Sequence, residues 1–316
     1  MQIEKTKNKV IFMGTPKIAA ECLAAILERN DVEVVAVVCQ PDKPVGRKKE
    51  IVFSPVKQLA LDNNLKVLQD IKVSNLYEQI KQLNPDLIFT CAFGQFVPDN
   101  ILSIPKYKCV NLHASLLPKL RGGAPIQWAI INREKTTGFS LMYMEKKMDA
   151  GNIIKQYELP ININETYKSL YDKLCSLARD IIKNDFDILC QDHVESIAQD
   201  ESKATFGYNI SREDEKINWK KEAKDIDALI RGLYDKPCAY TSIDGQIIKV
   251  LEAEVLKVYP NAIPGMVLEA NKNGIQVSTY HQVINLKVIQ LAGKKPCQVS
   301  QILNGNHPFK LGKLFD

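Results

Sequence analysis

Through its first half the chain alternates short β-rich runs with helical stretches. Residues 10–14, 32–39, 86–94, 109–115 and 138–145 read as strands, while 18–29 and 55–63 follow helix-start signals at Pro16 and Pro55 and 75–83 sets apolar residues at helical spacing. That rhythm is the pattern of βα units around a mostly parallel sheet, so the expected fold class is α/β with a Rossmann-like domain. Thr15-Pro16, directly after the first run, predicts a helix start. Thr15 would cap the open backbone N–H groups, and Pro16 would sit where a missing N–H costs nothing.

The rhythm then changes. Residues 165–190 read as one long amphipathic helix, because Leu170, Leu174, Leu177, Ile181 and Ile182 recur on one face. From 191 the composition turns polar and mixed, as in a linker crossing a domain surface. Beyond it lie a short helix (KDIDALIRGL) and short β runs broken by Asp244-Gly245 and Asn273-Gly274, both at hairpin spacing. With 316 residues, too many for one typical core, we expect a first domain over 1–192, a linker over 193–211 and a smaller OB-like β-barrel over 212–316.

Composition removes several function classes. Hydrophobic residues make up 45% and charged residues 25%, which is ordinary globular usage. No run approaches the roughly 18 to 20 apolar residues that span a bilayer. The N-terminal MQIEKTKNKVIFMG has no long apolar core of a signal peptide and reads as a tail running into a strand, so a cytoplasmic protein is expected. The eight cysteines are scattered and never form C-x-x-C. Reduced thiols are therefore expected, with no metal and no disulfide framework. Gly14-Thr15-Pro16 lacks the further glycines of a dinucleotide fingerprint. The net charge of +5 permits a polyanionic partner without establishing one. It is unevenly spread: from residue 271 onward Lys272, Lys287, Lys294, Lys295, Lys310 and Lys313 face one carboxylate, Asp316.

Chemistry concentrates in residues 109–130, CVNLHASLLPKLRGGAPIQWAI. On an extended strand Asn111 and His113 point to the same face. A Ser-Leu-Leu-Pro turn and a loop of little bulk (Arg121-Gly122-Gly123, then Pro125) follow, at the carboxyl end of a strand, where ligands of open α/β sheets bind. Asp149 lies in a turn just past the run 138–145. A carboxylate there could accept from one nitrogen of His113, fix its tautomer and stabilise its protonated form. A strand histidine is also a common packing residue, and Asp-x-Gly is ordinary turn chemistry, so these features alone leave both readings open. Likewise Lys43, Arg47, Lys48 and Lys49, around Gly46, read on composition as a solvated charged face.

Taken together these residues resemble the enzymes that use 10-formyltetrahydrofolate as a formyl donor. The family's N-x-H-x-S-L-L-P, followed by R-G and then Asp, is matched by Asn111, His113, Ser115 to Pro118, Arg121-Gly122 and Asp149. Residues 10–16, 40–49, 54–60, 122–127 and 291–296, with Asn218, Trp219 and 230–233, are similar to its tRNA-modifying branch, and the resemblance covers nearly the whole chain.

The resemblance implies formyl transfer from 10-formyltetrahydrofolate to the α-amino group of methionyl initiator tRNA, by a monomer needing no metal. An amine attacking a formyl carbon forms a tetrahedral adduct, so the site must stabilise an oxyanion and move a proton. Asn111 would donate to that oxygen, His113 would relay the proton and Asp149 would orient His113. Ser115, Leu116, Leu117 and Pro118 fall to the folate site by resemblance. Phe93 and Gly94 would add an apolar slot for the flat folate head, although core aromatics at a strand end need no ligand. Arg47 would reach the tRNA, flanked by Lys43, Lys48 and Lys49, with the basic late segment adding phosphate contacts. A formyltransferase acting on a small amine is the nearest alternative, and the basic loop and second domain speak against it. A third reading, an RNA-binding module with a degenerate enzyme domain, is disfavoured because all three reacting side chains are present. Two departures touch the tRNA-facing half: the family more often has a lysine near Asn209, and a more Pro- and Gly-rich turn around Lys236 and Cys238.

Overall fold

Strand β1 (Asn8–Gly14) shows why the first half folds as it does. In the computed structural model, which describes residues 7–45, 50–305 and 307–316, Val10 to Met13 are completely buried. Ile11 and Met13 join a core with Ala36, Val38, Ile80, Ile88 and Phe93. Phe12 stacks at 6.1 Å on Phe89, which in turn meets Phe186 at 5.6 Å. A strand covered on both faces is apolar throughout, as parallel central strands are.

The elements that follow are α1 (Lys17–Leu27), β2 (Val32–Val38), β3 (Lys43–Val45), β4 (Glu50–Val52), α2 (Pro55–Asp62), β5 (Val67–Leu68), α3 (Tyr77–Gln82), β6 (Leu87–Cys91), α4 (Asp99–Leu102), β7 (Cys109–His113), α5 (Pro125–Ile131), β8 (Thr136–Tyr143), β9 (Ile153–Pro160) and α6 (Tyr167–Asp185). Seven strands form one sheet in the order β5-β2-β1-β6-β7-β8-β9. The pairs β1/β2, β1/β6, β2/β5 and β6/β7 are parallel, and β7/β8 is antiparallel. From β1 the chain moves outward through β2 and β5, then reverses to β6. The switch point therefore lies at the carboxyl ends of β1 and β6, beside the end of β7.

Gly14 occupies that point because nothing larger fits: a Cβ there would stand 2.6 Å from Ala19 Cβ and 2.8 Å from Cys91 O. The helix start differs from expectation by one residue. Pro16 is the N-cap of α1, with no side-chain cap. The Thr15 hydroxyl instead accepts from Gln40 N at 3.2 Å and donates to Phe93 O at 3.4 Å, tying together the segments after β2 and β6. The long helix also ends early, since α6 stops at Asp185 and a 3-10 turn follows over Phe186–Cys190.

The chain divides into two compact units: 1–125, 137–160 and 171–207 form the first, and 126–136, 161–170 and 208–316 the second. Each is drawn from three segments, where the sequence reading placed single cuts at 193 and 211.

The second unit contains α7 (Ala223–Gly232), β10 (Ala239–Ile243), β11 (Gln246–Leu256), β12 (Val267–Asn271), β13 (Gly274–Ser278), β14 (Val283–Leu291), β15 (Cys297–Gln298) and α8 (Val299–Ile302). Its sheet runs β10-β11-β14-β13-β12, antiparallel throughout, with β15 on β14. Asp244-Gly245 turns β10 into β11 with φ of 49° and 75°. The second hairpin sits one residue earlier than expected: Asn271 pairs with Gly274, so Lys272-Asn273 make the turn. Trp219, stacked at 5.3 Å on Phe315, and Ile226 and Ile230 of α7 fill the core. The C-terminal tail bonds to both sheet edges: Val267 N donates to Lys313 O at 2.8 Å and Asp316 N to Ser242 O at 2.9 Å. Those edge groups are thereby satisfied. Among the described residues, no helix is long and apolar enough to cross a membrane.

Candidate active site

Asn111 and His113 stand on β7, two residues apart. Asn111 registers with Thr90 on β6. The buried Thr90 hydroxyl donates to Asn111 Oδ1 at 2.8 Å. With its oxygen so held, the Asn111 amide offers its N–H groups elsewhere. Thr90 was missed from sequence, where it reads as one more β-branched strand residue.

His113 is only 6% exposed. Its Nε2 lies 3.0 Å from Leu120 O, and its Nδ1 lies 3.7 Å from Asp149 Oδ1. A carbonyl oxygen only accepts, so Nε2 carries the ring proton and Nδ1 is the basic nitrogen of the neutral imidazole. The tautomer is therefore set by Leu120, not by Asp149 as expected. Asp149 faces the nitrogen that gains a proton, beyond hydrogen-bond length in the neutral state and placed to attract the imidazolium once it forms.

Asp149 is fixed from several sides. Its Oδ2 accepts the Gly122 backbone N–H at 2.8 Å. Its φ is +50°, in the left-handed region that a residue with a Cβ enters only when held. Two residues on, Gly151 allows the turn to close on β8, since a Cβ there would fall 2.0 Å from Tyr143 O.

Residues 199–207 make a strap over the loop after β7. Arg121 N donates to Thr205 O at 2.9 Å, Gly207 N to Arg121 O at 2.8 Å, and Ala124 N to Gly207 O at 2.9 Å. Thr205 Oγ1 accepts from Leu120 N at 2.9 Å, holding the residue whose carbonyl orients His113 and whose own φ is +58°. Arg121 is wholly buried. It forms a two-pronged ion pair with Glu201 at 2.8 and 3.2 Å and is also bound by Gln199. Hydrogen bonds from Arg121, and then from Lys147, lower the Glu201 carboxyl to about 2. Sequence reading took this stretch for linker, because its polar, aperiodic composition carries no sign of the loop it bonds.

The remaining candidates divide. Ser115 is 1% exposed, and its hydroxyl donates to Lys119 O at 2.7 Å. Leu117 is buried as well, its N–H donating to Ser140 Oγ at 2.9 Å. These two residues close the turn. The Phe93 ring packs in the core. Leu116 and Pro118 keep exposed surface, and Leu117-Pro118 is a cis peptide. Gly94 is exposed with φ +80°, a backbone favoured by glycine. Lys43 is exposed on β3, opposite Val52 of β4. The base of this hairpin is anchored by Lys57, which binds Asp42 and donates to Gln69 Oε1 at 2.8 Å. Arg47, Lys48 and Lys49 lie outside the described residues. Among the described residues, no three His, Cys, Asp or Glu side chains gather as a metal site.

An amide donor, an imidazole with one basic nitrogen and a carboxylate facing it can stabilise an oxyanion and carry one proton. Comparison with known proteins is consistent with that chemistry. The methionyl-tRNA formyltransferase of Malacoplasma penetrans is 48% identical over 305 residues, covering 96% of each chain. That of Bacillus cytotoxicus is 45% identical over 300 residues, covering 94% of this chain and 95% of its own. Among solved structures, the N-formyltransferase of Helicobacter canadensis in complex with folinic acid and dTDP-3-aminofucose shares the fold. It has a TM-score of 0.66 at 24% identity, over 89% of this chain and 99% of its own. HypX of Aquifex aeolicus in complex with tetrahydrofolic acid aligns with a TM-score of 0.64 at 14% identity over 94% of this chain, which spans only 47% of HypX. The pattern described as formyl transferase matches residues 7–184, which hold Asn111, His113 and Asp149, and that of the formyl transferase C-terminal domain matches 209–307. By sequence and by fold, the chain belongs to the formyl transferase family.

Proposed function

We propose that this protein transfers the formyl group of 10-formyltetrahydrofolate to the α-amino group of methionyl initiator tRNA. The observation that carries the chemistry is the basic His113 Nδ1 facing Asp149 Oδ1 at 3.7 Å. The acceptor follows from near-full-length relatives that bear the name methionyl-tRNA formyltransferase.

In the reaction the amine nitrogen attacks the formyl carbon, and the carbonyl oxygen gains negative charge. Asn111, its own oxygen engaged by Thr90, donates an amide N–H to that oxygen. His113 Nδ1 takes the proton that the attacking nitrogen loses, and the imidazolium is stabilised by Asp149. As the carbon–nitrogen bond to folate breaks, the same proton passes to the departing folate nitrogen. Protons balance, and no covalent bond to the protein is needed. Folate binding is assigned to Ser115, Leu116, Leu117 and Pro118 with Phe93 and Gly94, of which Leu116, Pro118 and Gly94 keep exposed surface.

Acceptor binding is assigned to Arg47 with Lys43, Lys48 and Lys49, and to the basic segment from Lys272 to Lys313 within the tRNA-binding domain, 212–316. Catalysis is assigned to 1–192 together with the strap. The protein acts as a monomer in the cytoplasm, where initiator tRNA is charged. Incubating it with 10-formyltetrahydrofolate and either methionyl initiator tRNA or a small amino sugar tests the assignment. Formyl label should enter the tRNA, and labelling of the sugar alone would overturn it.

A further inference from the structure

We infer that Gln199 is a positioning residue for the reaction: it sets Asp149 against His113 by clamping both loops that hold the carboxylate. This rests on the function proposed above. Gln199 Nε2 donates to Asp149 O at 2.9 Å and to Gly151 O at 2.8 Å. Its Oε1 accepts from Arg121 Nε at 3.1 Å and Nη2 at 2.8 Å. The amide orientation is dictated by its partners, since a guanidinium only donates and carbonyls only accept.

One side chain thus joins the turn carrying Asp149 to the loop carrying Gly122, whose N–H the Asp149 carboxylate accepts. Both ends of that arrangement need holding. Asp149 sits at φ +50°. Arg121, directly before Gly122, has its guanidinium buried, with Gln199 and Glu201 as its partners. Glu201 binds Arg121 from the exposed side and reaches the Asp149 turn only at the exposed Lys147 ammonium, a flexible side-chain contact. Gln199 alone of the two bonds the backbone of the Asp149 turn while holding Arg121. A shift of a fraction of an ångström in Asp149 changes how well it meets the His113 imidazolium, and misplacement of about 1 Å can cost on the order of a hundredfold in rate.

The test is a double-mutant cycle on the full-length protein, assayed with 10-formyltetrahydrofolate and methionyl initiator tRNA. Gln199→Leu removes every contact. Gln199→Glu keeps the Arg121 pairing, and with it the strap, but removes both donors to residues 149 and 151. Each should lower kcat about tenfold and leave the KM for both substrates within about twofold. In an Asp149→Asn background, already slow, either Gln199 change should cost less than about twofold more, because a residue that acts through Asp149 has nothing left to position. Equal losses in both backgrounds, a loss with Leu but not Glu, or no loss at all would overturn the inference. If Asp149→Asn were itself fully active, the mechanism proposed above would fall and this inference with it, an outcome distinct from the others.

Discussion

One carboxylate of Asp149 does two things at once: Oδ2 accepts the Gly122 N–H at 2.8 Å, and Oδ1 lies 3.7 Å from His113 Nδ1. The first contact anchors the group and leaves the second oxygen to respond to the charge on the ring. A proton arriving at Nδ1 turns a non-bonded approach into a charge-assisted hydrogen bond, the stronger kind. His113→Ala or Asp149→Ala should therefore lower kcat by more than about tenfold. The His113 change also removes the shorter of the two donors to Leu120 O, leaving the Ser115 hydroxyl at 3.4 Å, and so lowers stability as well. Single-turnover kinetics beside thermal melting separates the two effects; near-normal turnover in either variant would remove the mechanism.

Thr90→Val keeps the shape of a buried strand residue and deletes the hydroxyl that donates to Asn111 Oδ1 at 2.8 Å. Freed from that partner, the Asn111 amide can rotate, and the oxyanion donor is correctly aimed for only part of the time. A loss of about tenfold in kcat is expected, with the KM for folate little changed, since one missing oxyanion donor costs roughly a hundredfold or more. Unchanged kcat would show that Asn111 is oriented by something other than Thr90.

Glu201 predicts a pH dependence of stability. Its carboxyl is lowered to about 2, first by Arg121 and then by Lys147. A depressed carboxyl contributes stability that is present above its unfolded value, about 4.3, and lost as pH falls through the folded value. Glu201→Gln should therefore lower the melting temperature by a constant amount from neutrality down to about pH 4.5, and the gap to the parent should narrow below that. Melting curves at several pH values check this, and a gap independent of pH down to 3 would contradict the assigned ion pair.

Arg47→Ala should raise the KM for methionyl initiator tRNA about three- to tenfold, leave the KM for folate unchanged and flatten the salt dependence by about one charge. Steady-state kinetics across ionic strength reads all three. An unaltered tRNA KM would remove this loop from the acceptor site.

What could be read in the sequence was what neighbouring residues encode. The continuous apolar runs of β1 and β6, the turn chemistry of Asp244-Gly245 and the i, i+2 placement of Asn111 and His113 all depend on residues a few positions apart. What escaped depends on distant partners. Thr15 has the composition of a helix cap, and only the fold brings Gln40 and Phe93 to its hydroxyl. The tautomer of His113 rests on the carbonyl of Leu120, since backbone groups have no sequence signature. Gln199 lies fifty positions from Asp149 in a stretch without periodicity. Ser115 and Leu117 also hold the loop of the motif, through Lys119 O and Ser140 Oγ, partners that the pattern does not name.

The strap over residues 199–207 bears on how the molecule can be taken apart. A fragment ending at residue 192, the natural cut from composition, keeps Asn111, His113 and Asp149 but discards Gln199, Glu201 and Thr205. Such a piece would carry a complete set of reacting groups on an unclamped loop. Anyone excising this half, or grafting it onto a different acceptor-binding partner, should place the seam after Gly207.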